Sequence, residues 1–183
     1  RALDLPVLVY QGLGGQHPYN NDRHHTFILE GARAAHADIA ARGVRAVFHL
    51  DPTGRQPSPL QALAQRAAVC VVEDYPAPPF PAWSQALAAR AGCTVLALDA
   101  VCVVPMRLQP RRFARAFEFR KHNAAAFAER VPRPWPEVQP QQPPFAGALG
   151  FAPLDLPRLD IAACVGTCAI DHSVAPVAHT RGG

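Results

Sequence analysis

The chain has 183 residues, about half of them apolar, and carries 20 prolines. That length allows one domain with a real core plus a tail, and the apolar share excludes wholesale disorder. Its 18 basic and 14 acidic residues leave a net charge of +4, too small an excess, without a base-reading element, to argue direct DNA contact by this chain. No run approaches the roughly 18 apolar residues that cross a bilayer, and no signal peptide opens the chain, so no membrane partner is expected. Every basic residue but Lys121 is an arginine, which together with the abundant alanine points to a GC-rich bacterial genome. The five cysteines form no disulfide framework, and the expected compartment is a reducing cytoplasm.

Strand and helix signals alternate over the first 110 residues. Leu5–Tyr10 is an apolar, β-rich run, followed by a loop containing Gly12, Gly14, Gly15 and Asn20-Asn21. Asn21 or Asp22 can cap a helix whose Ile28, Ala32, Ala35 and Ile39 share a face and which Gly43 ends. Ala46–Leu50 reads as a second strand. Ser58-Pro59 supplies a cap and first turn for a short helix over Leu60–Ala67. Val69–Glu73 is a third strand, Pro81–Ala91 a third helix stopped by Gly92, and Thr94–Leu98 a fourth strand. Repeated βα units with continuous apolar strands predict a Rossmann-like, doubly wound parallel sheet with helices on both faces.

A basic, phenylalanine-bearing helix follows. At about 100° per residue, Phe113, Ala116, Phe117, Ala124 and Phe127 share one stripe, and Arg111, Arg115, Glu118 and His122 lie opposite on a face expected to meet solvent. Arg120 falls inside the apolar stripe, where a charge is costly unless paired, so a structural or interdomain role is expected for it. Six basic residues and one acid, Glu118, lie between Arg107 and Lys121. After about Val131 the periodicity ends. Eight prolines fall between Pro132 and Pro157, and the last forty residues read as a linker or as an extended segment that packs on something else. The expected division is an α/β domain over 1–131 and a Pro-rich connection over 132–183. Arg1-Ala2-Leu3-Asp4 resembles the close of a helix and Arg181-Gly182-Gly183 the middle of a linker, so the chain is expected to be a fragment.

Ligands of parallel α/β sheets gather at the carboxyl ends of the strands. Those ends carry Gln11-Gly12, Asp51, Glu73-Asp74-Tyr75 and Asp99, acids that can bind a ribose or polar ring or simply close turns. Gly12-Leu13-Gly14-Gly15 has neither the spacing of a dinucleotide fingerprint nor a Lys-Ser/Thr ending. His24 and His25 are sequence neighbours and cannot point the same way from a helix. Cys70 and Cys93 read as small core hydrophobes. Cys164, Cys168, Asp171 and His172 are close in sequence, but no partner pair at zinc-site spacing follows them. No nucleophile elbow, HExxH motif or catalytic acid pair is present, so no catalytic residue is assigned.

Several strings resemble the N-terminal α/β domain of the DNA photolyase and cryptochrome family, nearest to the class II cyclobutane pyrimidine dimer photolyases. They are Arg23-His24-His25-Thr26-Phe27-Ile28-Leu29-Glu30-Gly31, Val71-Val72-Glu73-Asp74-Tyr75-Pro76, Leu98-Asp99-Ala100 through Val103-Val104-Pro105, and Ala114-Arg115-Ala116-Phe117-Glu118-Phe119-Arg120. Ile170-Asp171-His172-Ser173-Val174-Ala175-Pro176-Val177 and Arg181-Gly182-Gly183 are similar to the family's linker ahead of its helical domain. The chain departs from the pattern at Val101 and Cys102, where the family has polar residues, and at Met106-Arg107, where it has a Trp-containing continuation.

The resemblance implies an antenna domain of a light-dependent flavoprotein lacking its first strand and helix. FAD and the catalytic site would lie in an absent C-terminal FAD-binding helical domain, which is the implied partner. UV-damaged DNA would be bound by the full-length protein. An antenna deazaflavin or folate would sit at the strand ends, with Asp74, Tyr75 and Asp99 as the cofactor-side residues and Arg120 at the interdomain position. Such an antenna passes excitation to FAD, and reduced FAD donates an electron that splits a pyrimidine dimer; the domain supplies position and a dry pocket. A cryptochrome-like photoreceptor without repair activity and a stand-alone nucleotide-binding α/β module are the alternatives.

Overall fold

The computed structural model describes residues 3–14, 19–134, 136 and 140–183. Arg1, Ala2, Gly15 of the glycine loop, and Trp135 and Gln139 of the proline-rich stretch lie outside the described residues. The fold is mixed α/β, with two pairs of parallel strands. The chain divides into two compact units, Arg1–Leu60 with Val138–Gly183, and Gln61–Glu137.

In the first unit, β1 (Leu8–Gly14) and β2 (Arg45–Asp51) run parallel with Leu8 opposite Arg45 and Gly14 opposite Asp51. The first strand begins three residues later than its apolar run predicts. Pairing starts where β2 offers partners, and Pro6 has no N–H to give a ladder. Between the strands lies α1 (Asp22–Ala41), capped by Asn21, whose side chain accepts the His24 N–H at 2.9 Å. Past its end Gly43 takes φ +74, a left-handed conformation that glycine adopts without strain. Its buried positions are His25, Leu29 and Ala32, at helical spacing and about one residue round from the predicted face.

The core of this unit is Leu13, Leu29, Ala32, Phe48, Leu156 and Val165, with Ile28, Leu50, Leu154, Leu159, Ile161 and Ile170 packed around it. Half of these residues come from beyond position 150. The segment expected to be an irregular connection is therefore, from residue 154 onward, a built part of the unit. It holds a 3-10 turn, Leu156–Arg158, and a short helix, which we number α5 (Ile161–Gly166) for its place after the four helices nearer the N-terminus. Backbone bonds fasten it. The Leu154 N–H donates to the Phe48 carbonyl (2.9 Å) and the Ala169 N–H to the Pro52 carbonyl (2.7 Å). A single parallel bridge joins Asn21 to Asp171. Arg33 on α1 donates to the carbonyls of Leu156 (2.8 Å) and Leu159. At the end, the Gly182 N–H donates to the Glu30 carboxylate at 3.0 Å. A Cβ at Gly182 would lie 1.8 Å from the Phe27 carbonyl oxygen, so only glycine lets the chain approach the helix this closely.

The second unit contains α2 (Leu60–Ala64), β3 (Val69–Glu73), α3 (Phe80–Ala88), β4 (Thr94–Leu98), a 3-10 turn over Met106–Leu108, and α4 (Ala116–Arg130). The strands β3 and β4 have the predicted bounds and pair in parallel, Val69 opposite Thr94 and Glu73 opposite Leu98. The last helix differs from expectation. It starts at Ala116, so Arg111 and Phe113 precede it, and Arg111 stacks over the Phe113 ring at 4.7 Å. Phe117 and Phe127 are exposed, and so is Arg120. The side turned inward is that of Asn123, which donates to the Phe119 carbonyl and accepts from Gln109, both at 2.9 Å. Phe113 packs against Arg111, Phe119 and His122, but Phe117, Phe127 and Arg120 stay exposed, so the desolvation that would force Arg120 into a pair does not arise.

Candidate functional site

The carboxyl ends of β3 and β4 lie side by side because parallel pairing in register puts Glu73 next to Leu98. The chain leaves β3 through Asp74-Tyr75 and leaves β4 through Asp99-Ala100, so three acids converge at one sheet edge. Each is already engaged. The Asp74 N–H donates to the Leu98 carbonyl at 2.8 Å, extending the ladder by one bond, and its carboxylate forms an ion pair with Arg107. Glu73 accepts the Ala100 N–H at 2.9 Å. Asp99 accepts the Cys102 N–H on one oxygen (2.9 Å) and the Met106 N–H on the other (2.8 Å). The backbone N–H groups of Met106 and Cys102 hold the Asp99 carboxyl below its ordinary range. Asp99 thus folds the 99–106 loop around itself, and Arg107 then reaches back to Asp74. The loop is closed by charge-assisted hydrogen bonds.

An aromatic row begins beside these acids. Tyr75 meets Phe80 edge to face at 5.1 Å, and Phe80 meets Trp83 in the same manner at 5.5 Å. All three are exposed, Trp83 to 57 %. A row of partly bared ring faces with a polar, hydrogen-bonded loop at one end can take a flat conjugated ring by stacking. The structure therefore brings Asp74, Tyr75 and Asp99 to one edge. Arg120 shares the second unit with them and is exposed on α4. In the sequence Arg107 stands out as part of a basic patch and as a departure from the family pattern, not as a partner of Asp74. Its pairing depends on the loop that Asp99 shapes, and spacing alone does not reveal it.

The strand ends of the first unit are structural. Asp51 is buried and accepts the Gln56 N–H (2.8 Å) together with the Thr53 hydroxyl (2.9 Å) and N–H (3.1 Å). Burial alone would raise its pKa; the hydrogen bonds from Gln56, Thr53 and Gly54 outweigh this and lower it. His36 Nε2 donates to the Gln11 side-chain oxygen at 3.0 Å, and burial lowers the histidine's pKa.

His172 lies between two oxygens, the Asp22 carboxylate at 2.7 Å from Nδ1 and the Cys168 carbonyl at 3.0 Å from Nε2. Only the imidazolium can donate to both. The Asp22 hydrogen bond, against some desolvation and with help from the Asp22 charge, the Cys168 carbonyl and Asp171, raises its pKa. Its ring is thereby committed to fastening the C-terminal segment and not to a cysteine-histidine metal cluster. Among the described residues no group of three or more His, Cys, Asp or Glu is placed to hold a metal. A cavity of about 60 Å³, lined by Arg23, Phe27, Glu30 and Val177 among others, has room for water but not for a ring system. No helix among the described residues is long and apolar enough to cross a membrane.

No protein-family model matches the chain, and no curated protein sequence matches it.

Proposed function

We propose that this chain is the antenna-type α/β domain of a blue-light-dependent, FAD-containing DNA photolyase that repairs cyclobutane pyrimidine dimers by photoinduced electron transfer. The observation carrying the reading is the β3–β4 edge, where Glu73, Asp74 and Asp99 gather and an exposed row of aromatic rings starts at the next residue, Tyr75. In this reading the domain is of the doubly wound parallel type and carries a deazaflavin or folate at the β3–β4 edge. Tyr75, Phe80 and Trp83 provide contact area for the planar ring, and Asp74 and Asp99 hold the loop that borders it. The chromophore's contribution when bound is to absorb light and pass the excitation on. The chain's own residues bind it, orient it and keep water from one face. FAD and the damaged DNA belong to a helical domain outside this chain, to which Arg120 and the exposed phenylalanines of α4 would turn.

The test uses the full-length parent protein bound to dimer-containing DNA under blue light. Loss of dimers supports repair. Persistent dimers with normal flavin photoreduction favour the cryptochrome-like reading, which Val101 and Cys102 in place of the family's polar residues also favour. Absence of any bound flavin overturns both. On the chain itself, titration with a deazaflavin or a folate should shift the ligand's fluorescence, and Trp83→Ala should weaken binding severalfold.

A further inference from the structure

Two thiols of the second unit lie much closer than the sequence implies. Cys70 is the second residue of β3, and Cys93 sits in the bend that leads into β4. The register pairs Cys70 with Val95, and the chain before Thr94 turns so that the Cys93 sulfur comes within 3.6 Å of the Cys70 sulfur. The same Cys93 thiol is 3.4 Å from the Ala64 carbonyl, so its one proton serves either the carbonyl or the neighbouring sulfur. Both side chains are half-buried, neither sealed from small reagents nor displayed on the surface. A disulfide bond is about 2 Å long, so closure asks the sulfurs to approach by about 1.5 Å. Cys93 is in a bend and not in the ladder, so its side chain can turn without breaking strand pairing.

We propose that Cys70 and Cys93 form a redox-active dithiol that closes to an intramolecular disulfide on meeting a low-molecular-weight disulfide, stapling β3 to the entry of β4. The exchange balances in two steps. The Cys93 thiolate attacks one sulfur of the small disulfide, forming a mixed disulfide and releasing one small thiolate. Cys70, as it loses its proton, attacks the Cys93 sulfur, forming the internal bond and releasing the second small thiol. Two protein thiols are oxidised and one small disulfide is reduced to two thiols. Burial, with the neighbouring Cys93 adding to it, pushes the Cys70 thiol up to about 11, so closure quickens as pH rises. The bond would tie together a unit with few buried apolar side chains, and the oxidised chain should unfold at a higher temperature than the reduced one.

The experiment oxidises the intact chain with oxidised glutathione and maps its peptides without reduction. The expected result is loss of two of the five thiols and a peptide joining Cys70 to Cys93, reversed by dithiothreitol. Glutathione capping Cys70 and Cys93 singly, or a cross-link confined to Cys164 and Cys168, overturns the proposal. A trivalent arsenical, which bridges adjacent thiols, is the second probe. It should bind one per chain, and Cys70→Ser or Cys93→Ser should each abolish that binding with the thermal midpoint nearly unchanged. Equal arsenical uptake by the variants and the parent chain identifies two independent core thiols only, and mapping of the parent chain decides the matter if a variant fails to fold.

Discussion

The two units differ in how much of their apolar side-chain surface they bury. Among the described residues, the first buries Leu13, Leu29, Ala32, Val47, Phe48, Leu149, Leu156, Val165 and Cys168, and the second buries only Ala64 from the same class. Both expose large apolar side chains, Leu5, Val7, Phe27 and Val177 in the first among them, but the second exposes them even from its strands (Val71, Leu96, Leu98), along with Phe80 and Trp83 of α3 and Phe117 and Phe127 of α4. A two-stranded sheet needs a helix or further strands against its face to be stable. The first unit obtains that cover from α1 and from the C-terminal segment. The second unit has little such cover, with α3 against β4 and almost no fully buried apolar side chain among its described residues. The contrast separates a unit with a buried apolar core from one whose apolar side chains are mostly half-buried or exposed.

Matched truncations in the two units should differ most in their effect on stability. Leu156→Ala removes a side chain that is 1 % exposed and should cost about 2–5 kcal/mol in urea unfolding. Phe127→Ala, at 51 % exposed, should fall within about 0.5 kcal/mol of the parent chain. Similar losses at both sites would erase the distinction.

Asp51→Ala should rank next. It leaves the N–H groups of Thr53 and Gln56 without their carboxylate and should cost about 1–3 kcal/mol near neutral pH. Because the folded Asp51 pKa is depressed, its stabilisation is present above the ordinary aspartate pKa and is lost as pH falls through the folded value. The variant should therefore show a shallower acid limb when its thermal midpoint is followed with pH.

A smaller, oppositely signed effect is expected at His172. Its pKa is raised, so its contribution is complete below the ordinary histidine value and disappears as pH rises through the folded value. Proton NMR should show His172 titrating above an exposed histidine, and His172→Gln should bring forward the release of residues 171–175 at low pH, seen as faster amide exchange. An unshifted titration would remove the imidazolium from the fastening of this segment.

The smallest effect should be at Arg120. In this chain Arg120→Ala should leave the thermal midpoint almost unchanged, since the side chain is exposed. In a full-length protein carrying the helical domain the same change should lower it. No change in the full-length protein would end the interdomain role.

Legibility followed the kind of signal. The strands β3 and β4 were readable because their β-rich apolar runs end at Asp74 and Asp99 and follow the helix breaks at Arg66-Ala67-Ala68 and Gly92. The helix α1 was readable from a cap at Asn21 and a stop at Gly43. The strand β1 slid because an apolar run does not say where its partner begins. The C-terminal segment was opaque for a different reason. Leu154, Leu156, Leu159, Ile161, Val165 and Ile170 have neither period two nor period 3.6, and their burial comes from wrapping around α1 and β2. At the candidate site, Asp74, Tyr75 and Asp99 followed from strand-end logic. Arg107 and the Tyr75–Phe80–Trp83 row did not, because a folded loop and a helix start bring them there.

Native-state amide hydrogen exchange on the intact chain tests the contrast between the units most directly. Exchange should be slowest in α1, β2 and α5, including the Leu156–Gly166 stretch, and markedly faster in β3, β4 and α4. Equal protection of the two units, or fast exchange over residues 156–166 with slow exchange in β3–β4, would contradict it.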